Sequence, residues 1–319
     1  MPDLYRRPAP IKQPRHTVHA SWWRVLMRAC VFAVCGTLAC ASIAATPITA
    51  PDAGAASAAL SAKYTALSAQ LAHNQFGRPL YLVSTETPNH LQGDIYAVLD
   101  YPAADVIKAL QDPTHWCDIL LLHLNTKYCR ATTDSNGTEL GVNIGGKYYE
   151  SLQQAFRVNF AYRVAAVTPD YLAVELAAPQ GPMGTSDYRI RLETVALPGG
   201  KTFLHLTYAY AYNFAGRLAM QAYLATIGSA KVGFTTTGTQ NNGQPAYIGG
   251  VRGVVERNTM RYYLAIDAYL SAAPAPPAEQ FTQRLQTWFA ATEHYPLQLH
   301  EVDLADYLDM KQREYQREQ

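Results

Sequence analysis

The sequence predicts an α+β fold in which a curved antiparallel β-sheet wraps around one long C-terminal helix, with extra helices at both ends. Two observations lead to this prediction. Four stretches between residues 156 and 213 alternate apolar and polar side chains, which is the period of half-buried antiparallel strands. Later, Val251 to Leu270 places its apolar residues along one helical face. A sheet with one apolar face needs a cover, and incomplete filling beneath this helix would leave a cavity.

The last of the four strands, Phe203 to Asn213, is rich in tyrosine. The chain holds 22 tyrosines and 9 phenylalanines. Tyrosine suits a surface that is apolar in body but needs a partner for its hydroxyl, such as the wall of a wet cavity. The high strand propensity of tyrosine is the alternative explanation. One face of this strand presents Leu204, Leu206, Tyr208, Tyr210 and Tyr212, and the other presents Phe203, His205, Thr207, Ala209 and Ala211.

The flanking segments predict the remaining elements. Residues 228–250 lack periodicity and are rich in Gly, Thr and Asn, which indicates a long surface loop. The last helices follow a proline-rich linker and are expected to dock as an appendage. In chain order, the other predicted elements are a helix within 55–73, strands at 81–85 and 93–101, helices at 103–111 and 116–122, a hairpin at 126–148, a helix at 214–227 and two helices between 279 and 319.

The charge of the chain is unevenly distributed. The first 45 residues contain six basic residues and one acidic residue, whereas the full chain of 319 residues has a formal net charge of +1. Without those 45 residues, 20 basic and 24 acidic residues remain, a net charge of −4. Nucleic-acid binding depends on a positive surface, so this composition argues against a nucleic-acid partner.

The same leader has the pattern of an export signal. Ala29 to Ala45 is an apolar run behind a basic segment, and it ends in small residues at signal-peptidase spacing. We therefore expect cleavage after Ala41 or Ala44 and an exported, periplasmic protein. If the signal is not cleaved, residues 22–45 would act as a membrane anchor. Lipidation at Cys40 is a further alternative.

Only two of the five cysteines follow the leader, at positions 117 and 129. An even pair in an oxidising compartment predicts one disulfide, between Cys117 and Cys129. Two separate buried thiols are the alternative. No metal site is expected, because two cysteines without a suitably spaced histidine pair do not make a zinc site.

The order of elements resembles the helix-grip fold of the START-like (SRPBCC) superfamily of lipid-transfer proteins and polyketide cyclases, as an exported member of bacterial type. The resemblance covers residues 80–271. It implies a deep cavity between the sheet and the last helix that binds a lipid or another bulky apolar molecule. The segments that carry it are GDIYAVLDY at 93–101, the helix pair at 103–122 with Trp116, the strands at 156–213 and the helix at 251–270.

The resemblance divides the chain into four parts. Residues 1–45 are the signal peptide or anchor, and residues 46–79 are a linker with an N-terminal helix. The START-like ligand-binding domain spans residues 80–271. Residues 272–319 form a proline-rich linker and a C-terminal helical extension. The departure from the family pattern is the long segment at 214–250. We expect it to act as a lid and to offer a membrane contact; the alternative is a decoration unrelated to the cavity.

The ligand-binding prediction names residues from the last strand and the closing helix. On the helix, Asn258 and Tyr262 point along the face of the apolar residues, where they can hydrogen-bond the polar head of an apolar ligand. The predicted set is Tyr208, Tyr210, Tyr212, Val255, Asn258, Tyr262 and Ile266.

Charged residues crowd the same turns of this helix. The alternative for Glu256, Arg257, Asn258 and Arg261 is a solvated ion-pair face, with Arg252 pairing Glu256 at i,i+4. If Arg261 is buried instead, it requires a carboxylate from the protein or from a ligand.

These observations favour a non-catalytic carrier or sensor of a hydrophobic small molecule or lipid, with no catalytic residue, cofactor or metal. The sequence indicates no protein partner by itself. A cyclase- or dehydratase-like enzyme is the alternative, with Glu175, Glu150 or His205 as the ionisable group facing inward. A protein-interaction module, with the pocket filled by side chains, is the third possibility.

Overall fold

A computed structural model describes residues 52–225 and 231–317 of the chain. The predicted signal peptide at 1–45 and the anchor at 22–45 lie outside the described residues. Among the helices of the described ranges, none is both long enough and apolar enough to cross a membrane.

Eight antiparallel strands form one curved sheet, which confirms the predicted α+β architecture. Along the sheet the order is β1-β2-β8-β7-β6-β5-β4-β3, and every neighbouring pair is antiparallel. The strands are β1 (Leu80–Thr87), β2 (His90–Leu99), β3 (Thr126–Asp134), β4 (Gly137–Ile144), β5 (Phe156–Thr168), β6 (Tyr171–Gln180), β7 (Thr185–Leu197) and β8 (Lys201–Tyr212).

The helices lie before, between and after these strands. The longest, α6 (Gly250–Ser271), packs against β1, β2 and β8, as the sequence predicts for the closing helix. The others are α1 (Ala53–Ala66), α2 (Ser68–Ala72), α3 (Ala103–Leu110), α4 (Pro113–Leu121), α5 (Phe214–Ala225), α7 (Pro277–Glu293), α8 (Pro296–Leu299) and α9 (Leu304–Gln316).

Local sequence explains where α4 begins. Asp112 is its N-cap, and its carboxylate accepts the N–H of Thr114 at 2.8 Å. Pro113 occupies the first turn, where no backbone donor is needed. Residue Cys117 of α4 forms the predicted disulfide with Cys129 of β3, at an S–S distance of 2.02 Å. The disulfide therefore joins the two elements that flank residues 122–125.

The two faces of β8 are buried against different partners. Its Leu204 side, which we call the inner face, packs against α6 in the main hydrophobic core. Its Phe203 side, the outer face, is covered by Leu60 and Leu67 from the N-terminal helices. Each fully buried leucine contributes about 1.5–3 kcal/mol, so both faces contribute substantially to stability. The predicted alternation of β8 is confirmed.

The segment before α6 differs from the surface loop that the sequence predicts. Its described part contains a small hairpin, β9 (Thr236–Thr239) and β10 (Pro245–Tyr247), and Phe234 is buried in the core. The cause is Glu256 of α6, whose carboxylate accepts the N–H of Phe234 at 2.6 Å and the N–H of Thr235 at 2.9 Å. These hydrogen bonds hold residues 234–235 against the helix.

The predicted pair between Arg252 and Glu256 is wrong. Arg252 donates instead to the hydroxyl of Ser84 at 3.1 Å and to its carbonyl at 2.9 Å. The Ser84 hydroxyl in turn donates to Glu256 at 2.6 Å. Both charged side chains therefore bind Ser84 of the edge strand β1 and do not pair with each other.

The C-terminal helices belong to the main core. Trp288 of α7 and Tyr307 of α9 are fully buried, and their rings stack with centroids 5.1 Å apart. The indole N–H of Trp288 donates to the carbonyl of Arg261 at 3.1 Å. These helices therefore cover the side of α6 that faces away from the sheet, and they are not a loosely docked appendage.

Candidate functional site

Three of the predicted ligand-binding tyrosines come together on the inner face. The ring of Tyr208 lies 5.6 Å from Tyr210 and 5.1 Å from Tyr262 of α6. Tyr188 of β7 completes the cluster, since its ring stacks on Tyr210 at 5.3 Å. The sequence places Tyr188 on the same alternating face of its strand, although the predicted set omits it. The four rings form an aromatic wall between the sheet and α6.

Burial keeps these phenols protonated. It raises the pKa of Tyr208, Tyr210 and Tyr262 above the ordinary value. Each hydroxyl therefore remains a donor as well as an acceptor at neutral pH. An aromatic wall of this kind offers apolar ring faces and neutral polar tips.

The remaining predicted residues differ in their surroundings. Val255 and Ile266 are fully buried in the core, whereas Asn258 and Tyr262 are partly exposed. Tyr212 lies apart from the cluster at the end of β8, where its hydroxyl donates to the carbonyl of Thr87 at 3.4 Å.

His123, for which the sequence predicts no role, contacts this wall. It lies in the turn after α4, fully enclosed, and its imidazole stacks on Tyr262 with centroids 5.1 Å apart. Its Nδ1 accepts the backbone N–H of Asn125 at 3.1 Å. Nδ1 is thus an acceptor, so the proton of the neutral ring sits on Nε2. Nε2 itself has no hydrogen-bond partner in the described part of the chain.

The environment holds His123 in its neutral form. Burial lowers its pKa well below the ordinary value, and the nearby charges of Arg261 and Lys311 lower it further. The side chain of Asn258 raises this pKa, but it forms no hydrogen bond of acceptable geometry with Nε2. His123 therefore presents a fixed N–H donor beside Tyr262.

A buried charge network fixes the backbone that carries His123. Lys311 of α9 donates to the carbonyls of His123 at 2.7 Å and Thr126 at 2.8 Å. Lys311 and Lys127 both pair with Glu314, at 2.7 and 3.0 Å. All three ionic side chains are fully buried, so α9 positions the turn through groups that solvent does not screen.

The charged residues of α6 are not a solvated ion-pair face, which corrects that interpretation of the sequence. Glu256 is 0% exposed, Arg257 is 2% exposed and Arg261 is 5% exposed. The reason is that α6 is covered on both sides, by the sheet and by the C-terminal helices. The conditional expectation for Arg261 is met, because its Nη2 donates to Glu301 at 2.8 Å.

Arg257 is held differently. Its Nη1 donates to the carbonyl of Val232 at 3.2 Å. Within residues 52–225 and 231–317, no carboxylate forms an ion pair with its guanidinium, in contrast to Arg261 one turn later.

The ionisable groups considered for catalysis lie elsewhere. His205 is on the outer face, where Nε2 lies 2.9 Å from Asp94 and Nδ1 lies 3.5 Å from Glu193. Burial opposes protonation of this ring, but the hydrogen bonds to the two carboxylates raise its pKa overall. Glu175 pairs with Arg163 on the same face, and Glu150 accepts the N–H of Gly146 at 2.9 Å in an exposed loop. None of the three expected candidates faces the inner wall.

A cavity of about 440 Å³ opens at the edge of the sheet, beside β1 and α2. It does not lie where the sequence predicts a cavity, and no residue of the predicted set lines it. Its lining residues are Gln70, His73, Asn74, Gln75, Phe76, Tyr81, Leu82, Val83, Phe234, Thr235, Thr236 and Arg252.

No cluster of His, Cys, Asp and Glu with the geometry of a metal site occurs in the residues that the structure describes. The arrangement on the inner face can do two things with its own groups. It can enclose apolar surface between aromatic rings, and it can donate hydrogen bonds from His123 and from the phenols.

No model of a known protein family and no curated protein matches this chain. Among solved structures it resembles a conserved protein from Geobacillus kaustophilus, with 10% identity over 57% of this chain and 95% of that one, and a TM-score of 0.32. It also resembles a truncated norcoclaurine synthase from Thalictrum flavum, with 12% identity over 46% and 91% of the two chains and a TM-score of 0.30.

A third likeness is to the structure of Ara h 8.0201, with 10% identity over 60% of this chain and 99% of that one, and a TM-score of 0.31. Similarity at this level assigns neither a family nor an activity to the chain. The class that the coordinates define is an α+β protein with a helix-grip arrangement.

Proposed function

We propose that this protein binds a mainly apolar small molecule between the inner face of the sheet and α6, as a carrier or sensor. The binding surface would be the aromatic wall of Tyr188, Tyr208, Tyr210 and Tyr262. Asn258 and Tyr262, which are both partly exposed, would supply the polar contacts that a hydrophobic site with few polar groups requires.

The observation that carries the proposal is the donor at His123 Nε2. A buried donor without an acceptor costs about 1–3 kcal/mol, and proteins rarely retain one without a use. The imidazole contacts Tyr262, so a ligand acceptor beside that ring would satisfy Nε2. The donor thus supports a ligand with one carbonyl, hydroxyl or similar oxygen on an apolar body.

The same geometry favours binding over catalysis. His123 is neutral, and its acceptor nitrogen is occupied by the N–H of Asn125. It can donate a hydrogen bond to a ligand, but it has no free lone pair with which to remove a proton. Of the ionisable groups considered for catalysis, His205 and Glu175 lie on the outer face, away from this wall.

We assign the expected lid to α5. Gly216 is buried against the turn at Pro182–Gly184, and a side chain there would lie 2.9 Å from the carbonyl oxygen of Gly184. Three apolar side chains remain outside: Phe214 is 82% exposed, Leu218 is 58% exposed and Met183 is 74% exposed. The proposed membrane contact of residues 214–250 would use this patch, because exposed apolar groups favour an apolar environment.

Export remains part of the proposal. The disulfide between Cys117 and Cys129 supports it, since disulfides persist in oxidising compartments. Mass determination of the protein purified from its own cells would show whether the first 41 or 44 residues are removed. Recovery of the full-length chain would contradict cleavage.

The binding test uses Nile red, a neutral apolar dye with one carbonyl oxygen. We expect one dye molecule per chain and an affinity at least about tenfold weaker in Tyr262→Trp, because the larger ring occupies the space beside Asn258. Tyr96→Trp is the matched control on the outer face, where its ring stacks on His205 at 4.2 Å. We expect that variant to bind as the wild type does.

Circular dichroism of both variants shows whether the fold is intact. A wild-type protein that does not bind the dye, or equal weakening by both substitutions, would contradict a site on the inner face. The interaction-module alternative predicts the first of these results, since side chains would then fill the interior completely.

A further inference from the structure

The cavity of about 440 Å³ lies beside a strand at the edge of the sheet. This strand, β1, pairs only with β2 within the described residues. Three consecutive residues of β1, Tyr81, Leu82 and Val83, line the cavity, a length of about 10 Å at about 3.3 Å per residue. The cavity therefore follows the unpaired side of β1.

The pairing with β2 shows which backbone groups of β1 point to that side. The carbonyl of Pro79 accepts the N–H of Val98 at 3.0 Å, and antiparallel pairing alternates, so Tyr81 and Val83 bond to β2. Leu82 lies between them, and its N–H and C=O point away from β2. Neither group has a hydrogen-bond partner among residues 52–225 and 231–317. Leu82 thus offers the donor and the acceptor that an added strand would use.

The next residue with outward backbone groups, Ser84, is already bound. Arg252 donates from Nη2 to the carbonyl of Ser84 at 2.9 Å and from Nε to its hydroxyl at 3.1 Å. Arg252 also lines the cavity. In the part of the chain that the structure describes, its Nη1 forms no hydrogen bond and its guanidinium forms no ion pair. A strand added at Leu82 would therefore end beside a cation that still has donors to offer.

The wall opposite β1 is held in place by its own hydrogen bonds. The side-chain amide of Gln75 donates to the carbonyl of Phe234 at 2.5 Å, and Glu256 accepts the N–H of Phe234 at 2.6 Å. Phe76 and Phe234 both line the cavity, with ring centroids 5.7 Å apart. The cavity thus combines an unpaired strand edge with apolar rings that are already positioned.

The other edge of the sheet is treated differently. Its edge strand, β3, packs against α9, and Lys311 of that helix donates to the carbonyl of Thr126 at 2.8 Å. Covering an edge in this way prevents it from recruiting another chain. The fold covers the start of β3 but leaves a cavity beside the middle of β1.

We infer that this cavity binds an extended peptide, which pairs with Leu82 as an added strand and places a carboxylate at Arg252. The site is separate from the aromatic wall, so the inference goes beyond the proposed function. A peptide backbone supplies both partners that Leu82 lacks, and its alternate side chains would reach Phe76 and Phe234. A purely apolar small molecule would leave those backbone groups unpaired. The charge of Arg252 favours a carboxylate, from the C-terminus of the peptide or from an Asp or Glu side chain.

The test uses two pools of acetylated tetrapeptides randomised at all four positions, one with a free C-terminal carboxylate and one with a C-terminal amide. In affinity selection read by mass spectrometry, we expect the wild type to enrich peptides and Val83→Trp, whose ring would fill the cavity, to enrich none. Thr85→Trp is the matched control on the same face of β1, because Thr85 is exposed and lies outside the cavity lining. That variant should enrich the same peptides as the wild type.

The selected peptides then test the two predicted contacts. N-methylation of the peptide N–H that pairs with Leu82 should weaken binding at least about tenfold, because the carbonyl of Leu82 loses its donor. Arg252→Gln should weaken binding by a similar factor, whereas Arg163→Gln, which changes an exposed arginine of the outer face, should not. Enrichment from the carboxylate pool alone supports binding of the C-terminus, and enrichment of amides that contain Asp or Glu supports binding of a side chain. Hydrogen exchange of the Leu82 amide should slow at least about tenfold when the peptide binds.

Several results would overturn the peptide site: no enrichment by the wild type, equal affinity of every N-methylated form, or unchanged exchange at Leu82. Unchanged affinity in Arg252→Gln would overturn the placement of the carboxylate. Nile red should still bind to Val83→Trp, because the aromatic wall is a separate site. Loss of dye binding in Val83→Trp, with no peptide enriched by the wild type, would place the apolar ligand in this cavity and overturn both the peptide site and the inner-face site.

Discussion

The two faces of the sheet treat their polar groups differently. On the outer face, Asp94 accepts from His205 and from Thr207, and Glu193 accepts from Tyr171 at 2.6 Å. On the inner face, the more deeply buried His123 Nε2 lacks a hydrogen-bond partner within the described chain. The carboxylates of the outer face are thus paired, whereas a buried donor of the inner face is not.

This difference indicates that the two faces have different roles. Paired ionic groups across β2, β8 and β7 join neighbouring strands, which is a structural role. Unpaired donors in an apolar setting reduce stability, since each costs about 1–3 kcal/mol. Proteins tolerate such costs where the groups serve binding, so the inner face is where a ligand-binding function should be tested.

The largest expected effect is a contrast between two arginines on α6. Arg261→Met should destabilise the protein by about 3–5 kcal/mol, because it leaves Glu301 buried with a weakened set of partners. Arg257→Met should be neutral or stabilising, because it removes a buried charge that has no ion pair in the described chain. Urea unfolding at pH 7 measures both. Equal destabilisation by the two substitutions would show that Arg257 is as well paired as Arg261.

A smaller effect is expected from His205→Gln, and it depends on pH. The pKa of His205 is raised in the folded protein, so its stabilisation is present below the unfolded pKa of about 6.5 and is lost as pH rises through the folded value. We expect a loss of about 1.5–3 kcal/mol at pH 5.5 and a smaller loss at pH 9. Unfolding free energies at the two pH values measure this.

The sign of that dependence is specific to the outer face. The pKa of His123 is lowered on folding, so protonation of the unfolded chain destabilises the protein as pH falls below about 6.5. Both the wild type and His205→Gln contain His123, so its contribution cancels in the difference between their unfolding free energies. A loss at pH 9 equal to that at pH 5.5 would mean that His205 is not charged between its two carboxylates.

The smallest effect compares two threonines on neighbouring strands. The hydroxyl of Thr207 donates to Asp94 at 2.7 Å on the outer face, whereas the buried hydroxyl of Thr194 has no partner in the part of the chain that the structure describes. We expect Thr207→Val to cost about 1 kcal/mol and Thr194→Val to stabilise by a similar amount. Thermal unfolding of both variants gives the two signs, and a destabilising Thr194→Val would remove that residue from the comparison.

Much of the fold follows from local pattern. The two-residue alternation of β8 predicts which tyrosines meet on the inner face, because each strand residue has only two directions available. Tyr208 and Tyr210 therefore meet Tyr262 as predicted. The disulfide follows from the count of cysteines outside the leader.

The rest depends on contacts between distant segments. Glu256 draws residues 234–235 into the core across more than twenty positions, and α9 fixes the turn of His123 from 188 positions away. No periodicity marks a histidine in a turn as a buried donor. Arg257 is buried because the C-terminal helices cover the outside of α6, which the charged sequence of that helix alone does not indicate.

The central claim is that His123 donates to a ligand on the inner face. The most direct measurement is the ¹H–¹⁵N correlation of the histidine side chains before and after Nile red is added at pH 7. The account predicts that the Nε2 proton of His123 is present in both states and shifts on binding, while the signals of His205 do not move. An unshifted His123 in the presence of bound dye, or a shift confined to His205, would contradict it.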